Sequence, residues 1–136
     1  MEHVPRGPSL IIGPYNYSLK LAFEPLCAAI AAGCPSLLLL SEGSRKAGEV
    51  MKRIVESTLD SRIVRIEMGG KNEGVAATSK PWGRGTLGLC VGSRPRQADA
   101  LLGLAVVFTG STKVGREVAI ACAKTLSPVT LEVGPG

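Results

Sequence analysis

The run Phe108-Thr109-Gly110-Ser111-Thr112-Lys113-Val114-Gly115 holds the residues best placed to do chemistry. Apolar residues stop at Phe108, a glycine follows, and hydroxyl residues open what reads as a helix. A helix entered in this way points its first backbone N–H groups, and its positive end, at an anion. Gly110 lets the backbone approach a pyrophosphate, Ser111 can donate to it, and Gly115 lets the helix lie close to the preceding strand. The same run is also the ordinary signature of a capped helix after a strand. It is neither G-x-G-x-x-G nor a Walker loop, since G-K-[ST] is absent.

Other chemistries are thinly supplied. The sequence has one histidine, His3, near its start, which argues against a His-rich metal site and a buried Ser-His-Asp triad. Cys27, Cys34, Cys90 and Cys122 form no C-x-x-C pair, so no metal site is expected. Taken alone, Asn16 reads as an Asx turn after Gly13-Pro14, and Glu132 as a solvated strand end. The net charge is +5 over 136 residues, and only two Tyr, two Phe and one Trp accompany it. Arg84, Arg94 and Arg96 therefore make a poor nucleic-acid surface, and no nucleic-acid partner is expected. The start, MEHVPRG, lacks the apolar core of a signal peptide. No apolar run approaches the ~20 residues of a spanning helix. A cytoplasmic protein with no membrane segment is the expectation, and sparse cysteines agree with a reducing compartment.

The elements that must position these residues follow from hydrophobic periodicity. Ser9–Ile12 reads as a strand closed by Gly13-Pro14. A helix spans about 19–32, with Leu19, Phe23, Leu26, Cys27 and Ile30 on one face, Pro25 as an awkward interior residue, and Gly33 as its stop. Leu37–Leu40 is apolar on both faces, as in a covered parallel sheet. Ser44 caps a helix at about 44–58 whose buried stripe is Ala47, Val50, Met51, Ile54 and Val55, with Glu49–Arg53 and Lys52–Glu56 pairs outside. Arg62–Glu67 reads as a third strand, Leu104–Phe108 as a fourth, 113–125 as a helix and Val129–Val133 as a last strand. Residues 69–103 break the pattern. They hold eight of the 17 glycines and no clear period before Ala98. Cys27 and Cys122 read as core residues. The alternation predicts an α/β fold with an open parallel sheet, flanking helices and right-handed crossovers.

Three blocks together carry a resemblance. IIGPYNYSLKLAFEPLCAAIAAGCP, LLLLSE and VVFTGSTKVGREVAIACAKTLSPVTLEVG are similar, in order and spacing, to aldehyde dehydrogenase segments. Those are the segments with P-W-N-Y/F-P, L-K-P-S-E, and F-T-G-S-x-x-V-G followed by L-E-L-G-G. The wording from Leu126 to Glu132 resembles the class 3, fatty-aldehyde branch. The resemblance implies oxidation of an aldehyde to a carboxylate with NAD or NADP, on a partial Rossmann-like sheet. It implies that Asn16 helps hold an oxyanion and that Glu132 is the general base for the deacylating water. It places Pro14, Tyr15, Glu42, Thr109, Gly110, Ser111, Val114 and Gly115 at the dinucleotide.

This sequence departs from the pattern in places. Leu39 stands where the family has a lysine, and Leu40 where it has a proline. The family nucleophile is a cysteine downstream of the position matched by Glu132, and none of the four cysteines matches it. Residues 1–136 are accordingly expected to form a single incomplete NAD(P)-binding domain with an irregular Gly/Arg-rich insert at about 69–103. The catalytic cysteine domain is expected to be absent and turnover negligible. The implied partners are the dinucleotide and an aldehyde, with a homo- or hetero-oligomer formed with a full-length relative. A non-catalytic nucleotide-binding or interaction module is the alternative.

Overall fold

The structure, a computed structural model, describes residue 5 and residues 7–79 and 105–134. Its elements alternate strictly. They are β1 (Ser9–Ile12), α1 (Ser18–Ala31), β2 (Ser36–Ser41), a single 3-10 turn (Glu42–Ser44) and α2 (Arg45–Thr58). These are followed by β3 (Val64–Gly69), α3 (Lys71–Ser79), β4 (Ala105–Ser111), α4 (Thr112–Thr125) and β5 (Val129–Gly134). All five strands are parallel, in the order β3-β2-β1-β4-β5. The predicted open α/β sheet is present. The order reverses between β1 and β4, which leaves a crevice at the carboxyl ends of those two strands.

The sheet is apolar on both faces because helices cover both. Ile11, Leu38, Leu40, Val64 and Ile66 pack with Ala22 and Leu26 of α1 and with Met51 and Val55 of α2. Leu10, Leu37, Leu39, Val106 and Phe108 pack on the other face with Ala77 of α3 and with Val118 and Cys122 of α4. Leu38 and Leu40, both fully buried, thus face opposite ways from Leu37 and Leu39, as the alternation of a strand requires. At the start of the sheet the buried Ser9 and Ser36 hydroxyls hydrogen-bond each other at 2.7 Å.

The helices sit differently from their apolar patterns. In α1 the buried residues are Ser18, Ala22 and Leu26, while Leu19 is exposed and Phe23 and Ile30 are half-buried. Cys27 is exposed rather than a core residue, because it lies one position past Leu26 and points off the sheet. Pro25 sits in the helix interior. Gly33 does end α1, with φ at 73°, while the Gly33 and Cys34 N–H groups bond Ile30 and Ala29 carbonyls. In α2 the buried positions are Gly48, Met51 and Val55. Ala47, Val50 and Ile54 are exposed, because α2 presents Gly48 to the sheet, with the Met68 side chain in the space beside it.

Ser44 makes no side-chain cap. Its hydroxyl donates to the Ser41 carbonyl, and the Ser41 hydroxyl accepts from the Gly43 N–H. Glu49 pairs with Arg45 instead of Arg53, at 3.4 Å, while Lys52 and Glu56 pair as expected. β3 begins at Val64 instead of Arg62, because Asp60 and Arg62 close a turn on each other. Residues 69–103 are not wholly irregular. Gly69 ends β3, and α3 follows at once. Residues 80–104, with Cys90 and the three arginines, lie outside the described residues.

Candidate functional site

A cleft of about 520 Å³ opens at the carboxyl ends of the strands. That volume is within the usual range for small-molecule sites. Four segments form it, each delivered by the end of a strand. The turn after β1 supplies Gly13, Pro14, Tyr15 and Asn16, the end of β2 supplies Leu39 and Ser41, the start of α3 supplies Gly69, Gly70, Lys71 and Gly74, and the β4–α4 junction supplies Phe108 to Ser111 and Val114. Glu132 and Gly134 of β5 close one side.

The β4–α4 junction is built for close approach. Phe108 is buried with its ring under Gly110, where an added Cβ would come within 2.7 Å of the ring. Ser111 is the N-cap of α4, in extended backbone, and its hydroxyl accepts from the Val114 N–H at a long 3.4 Å. The other first-turn N–H groups have no partner within the helix. The Thr112 hydroxyl donates to the Gly134 carbonyl at 2.9 Å, tying the start of α4 to the end of β5. Gly115 lies against β5, where a Cβ would come within 2.8 Å of Val133 Cγ1. Its place is therefore helix–strand packing, and it does not line the cleft.

The turn after β1 is held at its base and open at its tip. The Gly13 N–H donates to the Leu39 carbonyl at 2.9 Å, and Gly13 and Pro14 are buried. Tyr15 and Asn16 are exposed. Tyr17 then takes a left-handed conformation, φ 46°, that turns the chain into α1. No side-chain hydrogen bond of Asn16 is found among the described residues, so the Asx turn does not form, and Asn16 belongs to the cleft lining.

Glu132 pairs in register with Thr109 on β4. Val129 and Leu131 pack toward α4, so alternation turns Glu132 and Thr109 to the opposite face. At the carboxyl edge of the sheet the lining takes in residues of both faces, and so brings together Pro14, Tyr15, Asn16, Thr109, Gly110, Ser111, Val114 and Glu132. It leaves out Gly115 and Glu42. Glu42 is exposed at the start of the 3-10 turn, with Oε2 4.0 Å from where a Cβ on Gly70 would sit.

Sequence reasoning missed the contribution of Gly69, Gly70, Lys71 and Gly74. A Cβ on Gly69 would press within 2.8 Å of Glu73 Cβ, and the Glu73 carboxylate accepts from the Gly70 N–H at 2.9 Å. This is half of a capping box, and the glutamate three residues after Gly70 was its signal. Lys71 Nζ lies 2.6 Å from Glu117 Oε1, which bridges α3 to α4. Lys71 is the single cation, and Glu132 the single carboxylate, among the described lining residues.

None of Cys27, Cys34 and Cys122 lines the cleft. Cys122 is buried in α4, and burial pushes its thiol pKa up, away from the reactive thiolate. No group of three or more potential metal ligands is found among the described residues. Nor is any described helix long and apolar enough to cross a membrane.

No protein-family model matches the chain. A 4,4'-diaponeurosporen-aldehyde dehydrogenase of Staphylococcus aureus is 35% identical over 130 residues, 96% of this chain and 24% of that protein. Aldehyde dehydrogenase family 3 member F1 of Arabidopsis thaliana is 30% identical over 96% of the chain and 22% of its own length. The structure of a Pseudomonas syringae aldehyde dehydrogenase C variant, complexed with NAD+ and octanal, superposes with a TM-score of 0.77 at 26% identity. It is matched over 98% of this chain and 24% of that one. The chain thus spans a fifth to a quarter of the length of the curated relatives it matches.

Proposed function

We propose that this chain, a relative of the aldehyde dehydrogenases by sequence and fold, forms the dinucleotide-binding part of an aldehyde-oxidising site. The observation that supports this most is the position of one cleft. It lies where the strand order reverses, it is floored by Gly110 and the start of α4, and it has Asn16 and Glu132 in the same lining. NAD or NADP fits such a cleft. Thr109, Gly110 and Ser111 offer backbone and hydroxyl donors to its phosphates, and Val114 and Leu39 an apolar wall; Glu42, outside the lining but beside Gly70, would accept from ribose hydroxyls at the rim.

Bound there, the oxidised nicotinamide supplies a hydride acceptor. The rest falls to protein groups. The Asn16 amide, free of other hydrogen bonds among the described residues, donates to oxygen where negative charge develops on a carbonyl. The Glu132 carboxylate, exposed on β5, takes a proton from water. Both lie outside the apolar core, on the open side of the cleft. Between these two steps the chemistry calls for a thiolate, and no described cysteine lines the cleft. That observation favours a second reading, a non-catalytic nucleotide-binding or interaction module that pairs with a longer relative along the open edge of β5. Cys27, Cys34 and Cys122 are unpaired among the described residues, in keeping with the cytoplasmic setting proposed for the chain.

Calorimetric titration of the 136-residue chain with NAD+ and NADP+ is the test. Saturable binding of at least one is expected, weakened by more than tenfold in Gly110→Val, whose side chain has no room above Phe108. Absence of binding by both dinucleotides would remove the proposal.

A further inference from the structure

We propose that Glu117 sets the cofactor preference of the cleft by holding Lys71, so that the chain selects the unphosphorylated dinucleotide over its 2′-phosphate. The inference rests on the cleft being a dinucleotide site. Lys71 is the only cation among the described lining residues, and it opens α3 at the end of β3. Its ammonium is 2.6 Å from Glu117 Oε1, and both side chains are about 40% exposed. The ammonium keeps two further donors, but the carboxylate beside it offsets its charge and weakens its pull on a phosphate. Two further carboxylates stand at the same corner. Glu73 Oε2 accepts from the Gly70 N–H, and Glu42 Oε2 approaches Gly70 from the end of β2.

Glu117 pairs with Lys71, and Glu73 and Glu42 stand beside the adjoining Gly70, so one cation and three carboxylates share this rim of the cleft. A 2′-phosphate adds roughly two negative charges to a corner that is already net negative. A ribose diol is neutral and donates to the same carboxylates. Leu39 offers no compensation. It lies beneath this corner, 3% exposed, in the apolar cluster under α3. Specificity in such a site comes as much from repulsion of the wrong ligand as from attraction of the right one.

The test is calorimetric titration with NAD+ and NADP+ at one ionic strength, on the wild-type chain, Glu117→Gln, Lys71→Met and the double variant. The wild-type chain is expected to bind NAD+ more tightly. Glu117→Gln frees the ammonium and should raise the NADP+/NAD+ affinity ratio about tenfold, the scale of a half-exposed charge-assisted contact. Adding Lys71→Met should abolish that gain, which a merely structural role for Glu117 would not do. The proposal is overturned by a wild-type preference for NADP+, by a ratio that Glu117→Gln leaves unmoved, or by a gain that survives Lys71→Met. In those three cases dinucleotides bind and the cleft assignment stands. If neither dinucleotide binds the wild-type chain, the assignment and the proposal fall together.

Discussion

Leu126 shares with Tyr17 a backbone that suits its side chain poorly. It follows α4 with φ at 53°, in the left-handed region, and its side chain is 90% exposed. The Leu126 and Ser127 N–H groups bond the Ala123 and Cys122 carbonyls, so the helix ends in the glycine-favouring geometry without a glycine. Leu126→Gly therefore removes a steric cost of about 1 kcal/mol and forfeits little buried surface. The melting temperature should rise by a few degrees, read by circular dichroism; a fall would show that Leu126 makes contacts that matter. Gly33, in the same geometry at the end of α1, could be read from the sequence because its residue type announces the conformation. Leu126 could not. The β4–α4 junction was legible for a similar reason, since Gly110, Ser111 and Thr112 signal a turn and a cap by type. Gly70 and Glu73 carry an equally local signal, but it stood in a glycine-rich stretch without period. Glu42 shows the reverse case, because its identity was plain and its distance from the cleft lining depends on how the 3-10 turn folds.

At the scale of elements, α3 and α4 show how closely a helix can lie on the sheet. Gly74 faces Ile12 and Leu39 with ordinary clearances of 3.6 and 3.7 Å for an added Cβ. Gly74→Ala should stabilise the chain by about 0.5–1 kcal/mol, because a methyl fits and alanine suits a helix better. Gly115 leaves only 2.8 Å to Val133 Cγ1, with the Phe108 ring beside it at 3.4 Å. Gly115→Ala should push α4 off β5 and cost about 1–3 kcal/mol. Urea unfolding of the two variants should move the midpoint in opposite directions, and a shift of the same sign in both would overturn this account of α4. Element types followed from the sequence because the period switches cleanly from 2 to 3.6. The buried faces of α1 and α2 did not. Apolar residues spread around much of α1, and the apolar stripe of α2 is wider than the face the sheet covers, so Leu19, Val50 and Ile54 had as good a claim to the core as Ala22 or Met51. Their rotation is decided by what lies below, such as Met68 beside Gly48.

For the whole molecule, alternation of helix and strand dictates a parallel sheet, but not the place of β4. β4 joins β1 instead of β3, and this creates the crevice. The connection that carries the chain across runs through residues 80–104, which have no period from which a crossing could be read. The crevice then decides what the chain can do by itself. Aldehyde oxidation of the kind implied by its relatives needs a thiolate aimed at a carbonyl beside the nicotinamide. Cys27 is exposed on α1, Cys34 lies just past the end of that helix, and Cys122 is buried in α4 with a raised pKa. In the proposed reading Asn16 polarises the carbonyl and Glu132 activates water, but those steps stand on either side of an adduct for which no described cysteine lines the cleft. Loss of a nucleophile removes many powers of ten in rate, leaving the smaller effects of binding and polarisation. The purified chain, given NAD+ and an aliphatic aldehyde, should therefore produce reduced cofactor no faster than buffer by ultraviolet absorbance. Turnover that is abolished both by thiol alkylation and by Glu132→Ala would reverse this conclusion. It would place a cysteine of this chain at the carbonyl and show that the cleft rearranges to admit it.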